Sequence, residues 1–272
     1  MNEVVYNSNF KEVIQLAKNK RLFIGSGNPN SKILFIGKEA AIDKEKSAGQ
    51  YEEEYSKNTI DWNLNCSTNK QLNDVDNWFI KDRKPIFNSL YPYKGQINKV
   101  ERRDKSGKII SGHCGTSKTW YNYQKIIDSI YFNGVPSEFI NFHELSFCSE
   151  LNQETGSYSK DVPKNKRAAS IELRKELFNS NFFRDFPIII LAVGHYVRDF
   201  KIDLENVFQI NFNEDLSQKY SERLQNEYIN IHFDNLEKPT RLLIHTNQLS
   251  MVSNELINRL GMICKEFSNK II

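Results

Sequence analysis

Arg241-Leu242-Leu243-Ile244-His245-Thr246-Asn247-Gln248-Leu249-Ser250 is the stretch that decides the fold. An apolar, strand-like run stops at a histidine, and a polar turn then opens toward a helix with Leu256, Leu260 and Ile263 on one face. Strand, turn and helix in that order are the unit of a parallel sheet, and ligands of open α/β sheets bind beyond the carboxyl ends of the strands. The imidazole of His245 is therefore placed for chemistry. A second junction of this kind is Ile33-Leu34-Phe35-Ile36, followed by Gly37-Lys38-Glu39-Ala40-Ala41, which releases a carboxylate. Glu39 and His245 form a candidate acid/base pair drawn from opposite ends of the chain.

Working outward, the pattern predicts a helix after Ser8 that buries Phe10, Val13, Ile14 and Ala17. Strands are expected at Phe139-Ile140-Asn141-Phe142 and at Ile188 to Val193, the latter closed by Gly194. Thr116-Ser117-Lys118-Thr119 is an N-cap cluster for a helix through Trp120, Tyr123, Ile126, Ile127 and Ile130, and another helix runs through Ile171, Leu173 and Leu177. Between 200 and 239 the reading is open, with strand-like pieces at 207–212 and 228–233 around a helix near 216–224. Four short apolar strands with intervening helices imply an α/β fold, three layers α/β/α with a four-stranded, mainly parallel central sheet.

Residues 43–115 differ in texture, rich in Asn, Lys, Glu and Ser, with an acidic run at Glu52-Glu53-Glu54 and aromatics at Trp62, Trp78 and Phe79. They read as an insertion into a single domain covering 1–272. Within it, residues 99–103 and 108–110 flank Asp104-Lys105-Ser106-Gly107 as a β-hairpin. The 272 residues, 39% hydrophobic, suffice for one sizeable core. No apolar run reaches the roughly 20 residues of a membrane span, and the N-terminus lacks the regions of a secretory signal, so a cytoplasmic protein with no membrane partner is expected. Cys66, Cys114, Cys148 and Cys264 form no paired spacing, and the histidines show no ligand spacing, which argues against a metal or cluster. Net charge is +3, which permits nucleic-acid binding without arguing for it.

Residues 28–37, Asn-Pro-Asn-Ser-Lys-Ile-Leu-Phe-Ile-Gly, resemble the lead-in to the first catalytic motif of the uracil-DNA glycosylase superfamily, written G-Q-D-P-Y in one family. Glu39 then falls on the aspartate associated with the attacking water, Lys38 stands at the second position, and Ala40 and Ala41 replace proline and tyrosine. Phe139-Ile140-Asn141-Phe142-His143-Glu144-Leu145 is similar to the strand whose asparagine reads the uracil edge. His245-Thr246-Asn247-Gln248-Leu249-Ser250 is similar to H-P-S-P-L-S, where the histidine stabilises the departing base and the leucine wedges into the duplex. Outside 43–115 the motif order follows the superfamily along most of the chain.

The resemblance implies hydrolysis of the N-glycosidic bond of uracil or a modified pyrimidine in DNA, with the nucleotide flipped out. It makes Glu39 and His245 catalytic, and Gly37, Lys38, Asn141, Phe142 and Asn247 substrate-binding. Leu249 is the wedge, with Ser250, Lys164, Lys166 and Arg167 against DNA, and Arg102 and Arg103 as further phosphate contacts. Water as nucleophile implies a monofunctional enzyme without cofactor, although Lys38 adjoins the site. Ala41 lacks the bulk of the tyrosine that excludes a 5-methyl group, so thymine or a 5-modified base is admissible. The plainer readings are a helix-capping Glu39, a packed His245, a strand-ending Asn141, a core Leu249 and a solvated run at 164–167. The rival function is a catalytically silent nucleic-acid or nucleotide-binding protein on the same scaffold; a further one is an enzyme acting on free nucleotides.

Overall fold

Side chains apolar on both faces bury Ile33–Gly37, Ile188–Leu191 and Leu242–Thr246 in the middle of a sheet in the computed structural model, which describes residues 3–78, 86–104 and 108–271. The strands among these residues are β1 Ser26–Gly27, β2 Ile33–Gly37, β3 Arg102–Arg103, β4 Ile109–Ser111, β5 Ser146–Glu150, β6 Ile188–Leu191, β7 Asn211–Asn213, β8 Ile229–Phe233 and β9 Leu242–Thr246. The main sheet has the order β1-β5-β2-β6-β9-β8-β7. The pairs β5–β2, β2–β6 and β6–β9 are parallel, whereas β1, β8 and β7 attach antiparallel at the edges. The sheet therefore has seven strands where the sequence suggested four.

One of the expected four is misplaced. Phe139 to Phe142 is not a strand of the main sheet, because the backbone N–H groups of Asn141 and Phe142 donate to the Gln124 side-chain oxygen and a short helix, Phe142–Leu145, follows. The strand that pairs with β2 is β5, whose Ser146 and Ser149 hydroxyls are bonded to the carbonyls of Phe142 and Ile24. Two further expectations held in place. The helix Ser8–Lys20, capped by Asn7, buries the four residues named for it, and Ser117 caps the helix Lys118–Tyr131. In the helix Lys164–Phe178, Ile171 and Leu177 are buried but Leu173 is exposed. The ribbon β3–β4 forms where a hairpin was read; its turn residues Lys105, Ser106 and Gly107, like Phe79, lie outside the described residues.

The sheet separates two apolar clusters. One holds Leu34, Ile36, Phe147, Ile189, Leu191 and Leu243 against Ser8–Lys20 and Lys164–Phe178; the other holds Ile33, Phe35, Ile188, Ile190 and Ile244 against Lys118–Tyr131 and the helix Asn254–Ile271. From residues 43–115, Trp62, Leu72, Val75, Leu90 and Tyr91 are built into the first cluster. Trp62, on the helix Asn58–Ser67, is fully buried against Phe10 and Phe147 and donates its indole N–H to the Gly25 carbonyl at 2.8 Å. Asn58 donates to the same carbonyl at 2.8 Å. No helix among the described residues is long and apolar enough to cross a membrane.

Trp62→Ala should lower the unfolding free energy by about 3–5 kcal/mol, read from urea denaturation, because it leaves a large cavity in the core, while the Gly25 carbonyl keeps its bond from Asn58. A loss below about 1 kcal/mol would mean that this segment is a detachable cover.

Candidate active site at the strand ends

The carboxyl end of β2 delivers Glu39 into a ring of donors. Its carboxylate accepts from the Tyr196 hydroxyl at 2.7 Å, from the Asn152 side-chain amide at 3.4 Å and from the Ser159 hydroxyl. Asn152 is fully buried and follows β5; Tyr196 begins a short helix just after β6 and Gly194. Tyr196 in turn accepts from Arg167 Nη1 at 3.0 Å, and burial above all pushes its phenol up to about 12, so it acts as a donor at neutral pH. Arg167 lies in the first turn of Lys164–Phe178, its guanidinium 5.6 Å from the ring centres of Tyr196 and Phe200.

Lys38 sits where three turns close together. Its Nζ lies 4.8 Å from the centre of the Tyr196 ring. A Cβ placed on Gly194 would be 3.6 Å from Lys38 Cε and 3.7 Å from the backbone nitrogen of Gln248. Gly194 has φ +55°, a left-handed conformation that glycine adopts without strain, and it lets the turns after β2, β6 and β9 meet. Burial first, then the nearby Arg167 charge, draws the Lys38 ammonium below its ordinary pKa, against the opposing pull of Glu39 and Asp199.

His245 lies on the other side of Gly194. Its Nε2 is 2.9 Å from the Gly194 carbonyl and 3.1 Å from the Tyr228 hydroxyl; since a carbonyl only accepts, Nε2 carries the proton, and Nδ1 is left to accept from Asn230 at 3.3 Å. Burial lowers the imidazole to about 4, so it is neutral at physiological pH. It lines an open depression of about 560 Å³ with Tyr228, Asn230, His232, Arg198 and Phe212. None of Glu39's hydrogen-bond partners lines that depression, so the pair read from the sequence is divided between two sides of one glycine.

The structure brings Gly37, Lys38, Glu39 and Arg167 together and gives other tasks to several residues expected beside them. Asn141 exchanges hydrogen bonds with Gln124, its amide oxygen accepting at 2.6 Å and its backbone N–H donating at 2.7 Å. Phe142 is fully buried between Phe35, Trp120 and Tyr123. Asn247 ties down the Tyr228 N–H and the Asn226 carbonyl. Leu249 is fully buried in the second cluster, where its carbonyl accepts from Asn122 at 2.7 Å, because the turn folds it onto the helix Lys118–Tyr131. The exposed apolar side chain of that loop is Met251, 93% exposed, two residues further on; Ser250 is half-buried. Lys164 and Lys166 are exposed, as are Arg102 and Arg103, the last held by Glu101.

Asn152, Ser159 and Tyr196 were missed. For Tyr196 a signal existed, since it stands three residues after the clearest strand of the chain. Among the described residues no group of three or more His, Cys, Asp or Glu side chains is arranged to hold a metal ion. Compared with known families and with curated proteins, the chain matches none.

Beneath Glu39 lies a second carboxyl group. Glu150 packs on the α-carbon of Gly37, where a Cβ would fall 2.3 Å from its Oε2, and Oε2 has no hydrogen-bond partner. Burial, reinforced by the Glu39 charge and opposed by Arg174, raises it to about 8. An unfolded glutamate titrates near 4.5. The folded state holds the extra proton between these values, so stability falls as pH rises across that window. Glu150→Gln should flatten this slope: the variant's Tm relative to the parent should be higher at about pH 8 than at about pH 5. Equal differences at both pH values would show that Glu150 ionises freely in the folded protein.

Proposed function

We propose that this chain is a DNA glycosylase-like protein that hydrolyses the N-glycosidic bond of uracil or a modified pyrimidine in flipped-out DNA. The observation that carries the reading is the Glu39 carboxylate, fixed by Tyr196, Asn152 and Ser159 at the carboxyl ends of the parallel strands. Breaking such a bond builds positive charge on the sugar, and a fixed carboxylate beside C1′ offsets that charge and orients a water. A carboxylate offers about four lone-pair directions, of which the three donors occupy three, leaving room for one water. Asn141 is committed to Gln124, and Asn152 is fully buried with its amide bonded to Glu39 and Glu154, so the reading rests on the carboxylate and not on a base-reading amide.

Arg167, Lys164 and Lys166 supply positive charge for phosphates beside Glu39. Met251 replaces Leu249 as the apolar wedge. Ala41 is exposed, so nothing at that position excludes a 5-methyl group. His245 donates to a departing base only after leaving the Gly194 carbonyl, so its share is smaller than that of Glu39. The occupied Glu39 also favours the rival, a silent nucleic-acid-binding protein, should Ser159 and Tyr196 hold the carboxylate against water.

With oligonucleotides carrying uracil, a thymine mismatch or 5-hydroxymethyluracil, Glu39→Gln should reduce base release by about 10²–10⁴-fold and His245→Ala by less than about 10-fold. Absence of release from every substrate, with DNA binding retained, establishes the silent protein. Met251→Ala should slow release from duplex substrate and leave single-stranded substrate unaffected, since only the duplex has a stacking gap to fill. Equal slowing on both would remove the wedge role.

A further inference from the structure

Lys38 has no assigned partner. Among the described residues its amine forms no ion pair and donates no hydrogen bond; its neighbours are the face of the Tyr196 ring and the α-carbon of Gly194. An ordinary surface lysine extends into water, whereas this one is half-buried at the meeting point of three strand-end turns, one residue from Glu39. Resting against an aromatic face and the α-carbon side of a glycine, the amine has no hydrogen-bond acceptor holding its protons and no donor engaging its lone pair among the described residues. These are the surroundings in which a lysine acts as a nucleophile toward a carbonyl.

We propose that Lys38 attacks the C1′ aldehyde of an abasic deoxyribose in DNA and so gives the protein a strand-incising lyase activity. The inference rests on the DNA reading above and adds a second reaction at the same site. The Lys38 nitrogen forms a bond to C1′ and water leaves, giving an imine. The Glu39 carboxylate takes a proton from C2′, and the electron pair becomes the C2′–C3′ double bond. The C3′–O bond breaks and the 3′ phosphate departs as a monoester. Water then hydrolyses the imine, returning the amine and leaving an unsaturated aldehyde on the upstream strand. No oxidant, metal or cofactor is required. The lowered basicity of Lys38, caused by burial and by Arg167, increases the share of neutral amine available for the first step.

The test uses the full chain and a duplex carrying one preformed natural abasic site, so that base release is not needed. Treatment with borohydride should trap a covalent protein–DNA adduct, and peptide mass spectrometry should place it on Lys38. Lys38→Arg, which keeps the positive charge, and Lys38→Ala should lose the adduct and the incised product at protein concentrations that saturate the duplex in an anisotropy assay, and a tetrahydrofuran analogue, which has no aldehyde, should give no adduct. The proposal is overturned by no adduct from the parent protein, by an adduct that persists in Lys38→Arg, or by variants that lose the adduct only because they no longer bind. Base release without trapping would reject the lyase and leave the glycosylase reading intact. Trapping without base release would do the reverse.

Discussion

A guanidinium with no solvent exposure holds the site in register. Arg174 donates Nε–H to the Glu150 carbonyl at 2.7 Å, Nη2 to the Ser149 hydroxyl at 2.9 Å and Nη1 to the Phe23 carbonyl. Burying this charge is tolerable only because each side of the fork is bonded, and even so burial lowers the group to about 10. The three acceptors belong to β5 and to the segment leading into β1, so one side chain fixes where β5 ends relative to β2. Arg167 lies seven residues earlier on the same helix, two turns away on the same face. The buried arginine therefore sets the rotation at which the other arginine meets Tyr196.

Gly194 plays the matching part on the opposite flank. Its carbonyl receives His245, its α-carbon faces Lys38, and its left-handed φ turns the chain from β6 into the helix that carries Tyr196. Two polar clusters, one around Glu39 and one around His245, thus share a single backbone unit without sharing a cavity. A shift of the His245 ring would be felt at Lys38 through the glycine, whereas Glu39 and its donors would feel it only through Tyr196.

Much of this was legible wherever burial is two-sided. Ile33–Ile36, Ile188–Leu191 and Leu242–Ile244 are continuous apolar runs, and the sequence places Gly37, Lys38 and Glu39 at the end of the first. β5 was not legible, because Ser-Phe-Cys-Ser-Glu reads as polar. Its serines are buried because the short helix just before it and the segment before β1, far along the chain, supply acceptors for Ser146 and Ser149. Misplacing that strand hid Asn152, the amide that bonds Glu39. The edge strands escaped for another reason: β1 has two residues and β7 three, too few to show an alternation. Leu249 followed its hydrophobicity into the core, as the plainer reading had it, and the exposed apolar residue of the loop is Met251, two residues further on.

The chemistry that the site can perform is limited by how few of its groups remain uncommitted. Asn152, Ser159 and Tyr196 spend their donors on Glu39, and Arg167 spends one on Tyr196. Such a network is rigid, and rigidity favours a carboxylate acting by position and charge over one that must swing to reach its proton. Lys38 is the exception: it touches the network only through the face of Tyr196, so it can move without breaking a hydrogen bond. A fixed anion beside a movable amine fits a sequence in which positive charge first builds on a sugar and an aldehyde is then captured at the same carbon.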